Sequence, residues 1–594
     1  MRVEDGFQPI AFPEENPYTS DLVLPSLLKR TIPRSAFNEI EPDLERLGAD
    51  VITTIRAMGS GNRVAPPRLI QYDQWGRRVD ELETSEGWRD LKAVGQKEGL
   101  PAIFYERKYQ EHSRSYGFAK MMIIVGDSHE VFCPLSMTDG TARVIELIGS
   151  AEMKEKILPR LISRDPAVAF TSGQWMTERP GGSDVSQTET VATPTGKNNV
   201  LGPEYTLNGF KWFSSATDSH ISVALARTGS VQDGSRGLSL FFVPLRLPLL
   251  RAPSEPLPPA TSNNIFVHRL KNKIGTHTLP TAELSLDGSE AYLIGALNQG
   301  VKNISPVLNI TRLWSSIASI GGLRKCLAIA TAYAKVRTIN GGTRLLQDSP
   351  LHVSQLAAIS LVYRALTHLT FGVIRLLGKA ECDVASPDEL RRLRMLTPTA
   401  KAFAAEKACA GMEEAMTALG GAGYMEENGF GRAIRDSLVE KIWEGTTTVL
   451  ALDLARAAQD PATLNSFLSW VKEVISSCPL DLRARLREPL DVLNDALSEL
   501  AGSLKKPIAP LVPRPALILT GFVASSAFLL EHAIWAYVGR ENDRETDVEV
   551  FQRWILEGGM VAAIEDVRRA NLDGQTRATA NSTIVFGGLS RAKL

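Results

Sequence analysis

A single acidic residue between an aromatic ring and a glycine is one place where this sequence could do chemistry. Glu444 lies in the run Lys441-Ile-Trp-Glu-Gly-Thr-Thr-Thr448, directly after Trp443 and before Gly445. Burial in such an apolar setting raises the pKa of a carboxyl group and can make it a general base. A lone acid is more often solvated or ion-paired, so the run alone leaves both interpretations open.

Three further segments carry groups that could bind a planar or anionic ligand. Within Gln174–Asp184, the pair Gly181-Gly182 next to Ser183 lets backbone N–H groups approach a ligand closely, although a tight β turn uses the same residues. Asn208–Ser215 predicts a hairpin and an aromatic strand with two hydroxyl groups, a pattern that more often serves sheet packing. Arg337 ends a predicted helix, where it either anchors a phosphate or lies exposed.

The elements that must position these residues change in character along the chain. Apolar residues at spacings of three and four predict helices in residues 1–165, and short β-prone runs between turns predict a compact β domain in residues 166–295. Amphipathic helical patterns return in residues 296–458 and continue in an extension, residues 459–594. The sequence therefore predicts an α+β multidomain protein in the order helical, β, helical, helical extension.

The same patterns predict particular helices and strands. The expected helices are Asp80–Val94, Pro101–Tyr116, Ala142–Leu161, Ile310–Thr338, Leu351–Gly378, one from Pro398 to Gly420, Pro489–Leu500, Ala516–Val538 and Glu545–Asn571. The expected strands are Glu204–Leu207, His220–Ala226 and Leu238–Val243.

Charge and composition argue against several functions. The 594 residues hold 66 Lys+Arg against 67 Asp+Glu, which gives no global electrostatic reason to bind nucleic acid or an anionic membrane. Five cysteines without a CxxC pair argue against a disulfide framework or a zinc ribbon, and we expect no metal site. The longest apolar stretch, Ala516–Leu530, is shorter than the roughly 20 residues of a membrane-spanning helix, which favours a helix buried in a bundle.

Four motifs, taken in order, resemble the flavin-dependent acyl-CoA dehydrogenase family. They are Thr-Glu-x-x-Gly-Gly-Ser-Asp from Thr177, Asn-Gly-x-Lys-x-Phe-x-Ser from Asn208, Leu-Gly-Gly-x-Gly from Leu419 and Ile-Trp-Glu-Gly-Thr from Ile442. The resemblance covers about residues 60–458. It implies the acyl-CoA dehydrogenase fold, with a helical domain, a central β domain and a helical bundle, here followed by a C-terminal helical extension, and FAD as the cofactor.

A narrower resemblance is to the AidB branch of that family. Pro66–Arg78 and Cys133–Thr138 look like that branch, whose members also carry a helical extension after the dehydrogenase core. The terminal Ala592-Lys593-Leu594 is a variant of the peroxisomal Ser-Lys-Leu address, which predicts a peroxisomal protein with an import receptor as a partner. If that address is not used, the protein is expected in the cytoplasm.

The family resemblance implies roles for individual residues and a homotetramer or homodimer with FAD near a subunit boundary. The residues expected to bind FAD are Gln174, Met176, Thr177, Gly182, Ser183, Phe213, Ser214, Ser215, Arg337, Thr417, Gly420, Gly421, Thr446 and Thr448. The residues expected to line the acyl-CoA site are Ser183, Asn309, Arg312, Trp443 and Gly445.

Glu444 matches the position of the family's usual catalytic carboxylate. The resemblance implies that it removes the α-proton of an acyl-CoA while a hydride leaves the β-carbon for flavin N5, giving a trans-2-enoyl-CoA. Some relatives carry the base where this chain has Thr311-Arg312, and threonine cannot serve as one. Trp443 stands where a tyrosine is common in the family. It either narrows the acyl pocket or packs in the pocket wall without a specific effect on the substrate.

Three other functions stay open. One is an oxygen-using acyl-CoA oxidase, which a peroxisomal location would suit. Another is a DNA-associated protective flavoprotein, although residues 455–594 contain 16 Lys+Arg and 17 Asp+Glu, which leaves only a local patch at Arg483, Arg485 and Arg487 to bind DNA. The third is a catalytically idle scaffold that keeps the fold and the flavin.

Overall fold

The computed structural model describes residues 11–252, 254–572 and 574–587. They divide into two units, which we call the helical unit (residues 11–42, 110–115 and 315–587) and the barrel unit (residues 43–109 and 116–314). The peroxisome-like Ala592-Lys593-Leu594 lies outside the described residues, so the location of the protein stays a prediction.

The amino-terminal part is mostly helical, with one hairpin that the sequence did not predict. Its elements are α1 Leu24–Thr31, α2 Arg34–Asp50, α3 Arg56–Met58, β1 Arg68–Tyr72, β2 Arg78–Glu83, α4 Glu86–Lys97, α5 Ala102–Glu106, α6 Ser113–Ile124, α7 Phe132–Ile148 and α8 Leu158–Leu161. The helix expected from Asp80 is wrong at its start, because Asp80 lies in β2. Its buried carboxylate accepts hydrogen bonds from Arg78 and, at 2.8 Å, from the Val267 N–H.

The central part of the chain forms a closed sheet. Its strands are β3 Ser172–Trp175, β4 Val191–Asn199, β5 Gly202–Ser215, β6 Ile221–Arg227, β7 Leu238–Pro244, β8 Ile265–Leu270 and β9 Thr281–Ile294. The strand order is β3-β6-β4-β5-β9-β7, and β8 pairs with β9. Because β7 pairs with β6 as well as with β9, the sheet closes into a barrel.

Two apolar layers hold the barrel unit together. One contains Trp175, Leu207, Phe241 and Leu284, and the other packs the opposite face of β6 and β7 together with residues of α7. Every residue of β6 and β7 is buried, as expected for strands covered on both faces.

The largest continuous part of the helical unit begins within the long helix α9. From there to the extension its elements are α9 Gly300–Val336 (from Ser315 onward), β10 Thr338–Ile339, β11 Arg344–Leu345, α10 Pro350–Glu381, α11 Pro387–Thr417, α12 Phe430–Glu440 and α13 Thr447–Ala458. The expected helices at α9 and α10 are present, but α11 begins at Pro387 and runs through Pro398 instead of starting there. A capping box between Ser386 and Glu389 explains the earlier start.

The extension is part of the helical unit. It contains α14 Pro461–Ser476, α15 Leu480–Arg485, α16 Arg487–Ser503, α17 Pro513–Gly539, α18 Arg544–Glu557, α19 Met560–Leu572 and α20 Gly574–Phe586. The buried helix α17 packs against α10, α11 and α13 of the core. The single helix expected over Glu545–Asn571 is wrong, because Gly558 and Gly559 separate α18 from α19 and Gly559 has a φ of +111°.

Two helices among the described residues are long and apolar enough to cross a membrane, namely α10 and α17. Their most apolar windows are 78% and 83% buried inside the structure. Packing within the helical unit therefore accounts for their composition.

Candidate active site

The barrel unit brings together the two segments that the sequence predicted to contact a flavin. The Trp212 N–H donates to the Thr177 carbonyl oxygen at 2.9 Å, which joins the Gln174–Asp184 segment to β5. A Cβ atom on Gly182 would lie 2.8 Å from Thr177 Oγ1, so only glycine fits this turn without a shift. Met176 is buried beside these residues.

A buried ion pair fixes the same two segments to each other. Lys211 Nζ donates to Glu178 Oε1 at 2.6 Å and to the Leu225 carbonyl oxygen at 2.7 Å. Glu178 also accepts the Glu189 N–H at 2.6 Å. Burial alone would raise the pKa of Glu178, but the charge of Lys211 and these hydrogen bonds hold that pKa below its usual value. Both residues belong to the family motifs, but their contact could not be predicted from the sequence.

The surface next to the ion pair offers groups that fit a flavin. Phe213 is 55% exposed, and its φ of +53° is uncommon for a bulky residue. The Lys271 ammonium lies 4.5 Å from the centre of the Phe213 ring. Within the described part of the chain, Gln174 Oε1 and Ser214 Oγ are buried and have no hydrogen-bond partner. Buried polar atoms normally have partners, so these two atoms could accept or donate hydrogen bonds to a bound ligand, and the exposed Phe213 ring could pack against a planar one.

The other predicted residues of the barrel unit are less constrained. Ser215 Oγ lies 3.1 Å from Thr281 Oγ1, and Ser183 is exposed. Asn309 is exposed on α9, and the partly buried Arg312 follows it three residues later. Residues three apart lie on one face of a helix, so these two side chains share a face.

The helical unit presents Glu444 on a strained turn between α12 and α13. Glu444 has a φ of +57° and Gly445 a φ of +109°. The hydroxyl of Thr446 caps α13 by accepting the Val449 N–H. Lys401, which is 1% exposed, donates to the Gly445 carbonyl oxygen at 2.9 Å. A non-glycine residue with positive φ is costly and persists where the surroundings enforce it, as at many active sites.

A second carboxyl group lies behind this turn. Glu440, the last residue of α12, is 2% exposed, and its Oε2 accepts hydrogen bonds from the Ser315 hydroxyl and, at 2.6 Å, from Trp443 Nε1. Burial raises the pKa of Glu440 to about 7; the two hydrogen bonds and the charge of Lys401 oppose this shift, and the charge of Glu444 adds to it. Glu440 was not among the residues predicted from the sequence, although its spacing of four residues from Glu444 was a usable signal.

The extension contacts the residues that follow the turn. Arg514 at the start of α17 donates from Nη1 to Thr448 Oγ1 at 3.2 Å and pairs through Nη2 with Glu406 at 3.4 Å. Thr447 donates to the same carboxylate at 2.8 Å. The extension thus contacts a residue that the sequence predicted to bind the cofactor.

The residues predicted to bind the phosphates and adenosine of a shared FAD lie elsewhere in the helical unit. Arg337 is exposed at the end of α9, next to the short hairpin β10–β11. Gly420 has a φ of +61°, and a Cβ atom on Gly420 or Gly421 would meet no heavy atom within 4 Å. This strip is open on its outer side.

A cavity of about 580 Å³ lies beside that strip. Thr417, Glu413, Glu414 and Arg435 are among its lining residues, and Arg435 is paired with Glu426 at 2.7 Å. Carboxylate oxygens accept hydrogen bonds, so this lining suits the hydroxyl and amino groups of an adenosine better than an anionic pyrophosphate.

The basic patch that could have favoured DNA is largely occupied by internal contacts. Arg483 donates to the carbonyl oxygens of Ile475 and Ser476, and Arg485 pairs with Glu545 at 2.7 Å.

Three family models match successive parts of the chain. Residues 7–166 match the adaptive response protein AidB N-terminal domain, residues 173–289 match the acyl-CoA dehydrogenase middle domain, and residues 298–459 match the acyl-CoA dehydrogenase C-terminal domain.

Known proteins match over most of the length. Acyl-CoA dehydrogenase family member 11 of Caenorhabditis elegans is 34% identical over 575 residues, which cover 94% of this chain and 90% of that protein. AidB of Escherichia coli (strain K12) is 28% identical over 479 residues, or 78% of this chain and 81% of that protein. The crystal structure of Caenorhabditis elegans ACDH-11 in complex with C11-CoA superimposes with a TM-score of 0.88 at 33% identity, covering 98% of this chain and 97% of that one.

The chain belongs to the acyl-CoA dehydrogenase family. Within that family it is an AidB-like enzyme, as the amino-terminal domain match and both relatives show. The predicted family, branch, fold class and enzyme class are therefore confirmed. The roles of individual site residues stay predictions.

Proposed function

We propose that this enzyme converts an acyl-CoA thioester into a trans-2-enoyl-CoA, with Glu444 as the base that removes the α-proton. The observation that carries the proposal is the turn itself. Glu444 occupies a positive-φ position, and buried Lys401 holds the next peptide carbonyl. Such a turn gives the carboxyl group a fixed direction, which proton transfer requires.

The proposed cofactor is FAD, which supplies the hydride acceptor when it is bound. In the barrel unit, Thr177, Gly182, Phe213, Ser214 and Gln174 are the residues best suited to hold its flavin. The exposed Phe213 ring and the unpartnered buried atoms of Gln174 and Ser214 support this assignment.

The chain's own contribution to the reaction is positioning and electrostatics. A thioester α-proton is weakly acidic, so the thioester oxygen must be stabilised as negative charge develops on it. We expect the main-chain N–H of Glu444 to donate to that oxygen while the Glu444 carboxylate accepts the proton. Arg312 and Asn309 are expected near the acyl-CoA, and Trp443 beside its acyl chain.

The relative crystallised with C11-CoA supports a CoA thioester as the substrate. The direct test is anaerobic addition of an acyl-CoA series, from short and branched chains to long ones, to the purified flavoprotein while visible absorbance is followed. We expect one chain-length class to bleach the flavin and to yield the corresponding trans-2-enoyl-CoA. A yellow protein that no thioester bleaches would contradict the proposal.

The same preparation tests the remaining expectations about acceptor, assembly and location. Hydrogen peroxide formed under air during turnover would identify oxygen as the electron acceptor. Light scattering coupled to gel filtration would measure whether the holoenzyme is the expected homodimer or homotetramer. Import through Ala592-Lys593-Leu594 predicts that an amino-terminally tagged fluorescent fusion lies in peroxisomes, and a diffuse cytosolic signal would contradict it.

A further inference from the structure

We propose that Glu440 is a positioning residue for the Glu444 turn, and that it couples the charge of Glu444 to its own state of ionisation. The inference rests on the proposed role of Glu444 as the base. It concerns a residue outside the four family motifs that identified the site.

The turn is anchored on both sides of Glu444. On the entry side, Trp443 Nε1 donates to Glu440 Oε2 at 2.6 Å, so the carboxyl group fixes the indole of the residue directly before Glu444. On the exit side, Lys401 Nζ donates to the Gly445 carbonyl oxygen at 2.9 Å. Removal of either anchor would free one end of a turn whose backbone is strained.

Three elements of the helical unit enclose Glu440. Ser315 on α9 and Trp443 in the turn donate hydrogen bonds to it, and both donors are uncharged. The charged groups that act on it are Lys401 on α11, which favours its ionised form, and Glu444, which disfavours it. Glu440 is thus a buried acid whose two hydrogen-bond donors among the described residues, Ser315 and Trp443, are uncharged.

The sign of the coupling follows from like-charge repulsion. At a pH below the pKa of Glu440, that group is neutral and exerts no charge repulsion on Glu444. As the pH rises through about 7, Glu440 gains a negative charge that repels a negative charge on Glu444. Glu444 becomes a stronger base, because taking up a proton removes this repulsion between the two carboxylates. We therefore expect two ionisation steps in the pH profile of flavin reduction, and both apparent pKa values belong to the pair.

The variant Glu440→Gln separates position from charge. Glutamine keeps a carbonyl oxygen that can accept from Trp443 and Ser315 but has no titratable proton. We expect Glu440→Gln to retain bound flavin and to lose the ionisation step near pH 7 in anaerobic stopped-flow reduction by acyl-CoA, leaving a single step. Ser315→Ala removes a hydrogen bond that favours the ionised form, so we expect it to move the same step to higher pH.

Asp436→Asn is the matched control. Asp436 lies on the same helix one turn earlier, is 8% exposed and faces Arg432 at 3.5 Å. This substitution also exchanges a carboxylate for an amide, and we expect it to leave both ionisation steps in place.

Infrared spectroscopy gives a readout that does not depend on turnover. Between pH 6 and 8 ordinary carboxyl groups are ionised, so few protonated carboxyl bands remain. We expect the wild type minus Glu440→Gln difference spectrum to show one carboxylic acid band that disappears as the pH rises through about 7. Asp547, whose pKa is raised to about 6 mainly by burial, is present in both proteins and cancels.

The outcomes separate this inference from the proposed function. If Glu444→Gln abolishes flavin reduction while Glu440→Gln keeps the wild-type pH profile, Glu440 plays no such role and only the inference falls. If Glu444→Gln still reduces its flavin, the proposed base is wrong and the inference falls with it. Absence of the carboxylic acid band at pH 6 would also overturn it, because Glu440 would then be ionised already.

Discussion

Two glutamates, one in each unit, are equally buried, but their pKa values are shifted in opposite directions. Glu178 is 3% exposed and receives the Lys211 ammonium at 2.6 Å, which keeps the pKa of its carboxyl group low. Glu440 is 2% exposed, its donors among the described residues are a hydroxyl and an indole N–H, and burial raises its pKa to about 7. The charge of the donor, not the depth of burial, decides which form is stable.

The opposite pKa shifts of Glu178 and Glu440 indicate different roles for the two residues. Glu178 and Lys211 form a buried ion pair between the two segments of the barrel unit that are predicted to contact the flavin, and such a link serves as a structural anchor. Glu440 can change its charge near neutral pH beside the proposed base, and such a group can act on catalysis.

The largest expected change in stability comes from Lys211→Met. It leaves Glu178 charged and buried without its ammonium, which costs about 3–5 kcal/mol in the free energy of unfolding. Urea denaturation at pH 7 measures the loss. Lys197→Met is the control, because the Lys197 side chain is 74% exposed and lies 3.6 Å from Glu204, so water screens its charge and the pair contributes about 1 kcal/mol or less. Equal losses in the two variants would contradict the anchor role.

A pH-dependent effect is expected from Glu440→Gln. The pKa of Glu440 is about 7 in the folded protein against an ordinary value of 4.5, so the folded state binds a proton that the unfolded state releases. Wild-type stability therefore falls as the pH rises from about 4 to about 7, by about 3 kcal/mol from this group. Denaturation curves at several pH values should show a shallower fall in the variant. Parallel pH dependence in both proteins would mean that Glu440 is not protonated in the folded state.

The smallest effect is expected from Arg514→Ala. Its side chain is 58% exposed, and exposed ion pairs contribute about 1 kcal/mol or less. We expect almost unchanged urea stability but weaker retention of FAD on dilution, because Thr448 loses its contact with the extension. Unchanged retention would show that Arg514 does not support the site.

Long regular elements and the motif residues could be predicted from the sequence, whereas contacts between distant residues could not. The spacing of apolar residues at threes and fours predicted both α9 and α10. The β1–β2 hairpin was not predicted, because it depends on a contact between distant residues. The buried Asp80 carboxylate accepts a hydrogen bond from the N–H of Val267, which is 187 residues away along the chain. Local apolar spacing contains no information about such a partner.

The candidate site shows the same limit. Glu444 could be proposed from its motif, since the neighbouring tryptophan and glycine are adjacent in sequence. The supports of its turn come from α9, α11 and the end of α12, and two of these, Ser315 and Lys401, are far from it in the chain. Nothing in a single sequence places them beside Glu440 and Gly445.

The most direct test of the central claim is the rate of anaerobic flavin reduction in Glu444→Gln, measured with the acyl-CoA that bleaches the wild-type protein. Removal of a general base typically costs a factor of about 10² to 10⁴ in rate. We predict that Glu444→Gln binds FAD normally and that its flavin stays oxidised on the wild-type timescale. Reduction at a rate near that of the wild type would show that another group removes the α-proton.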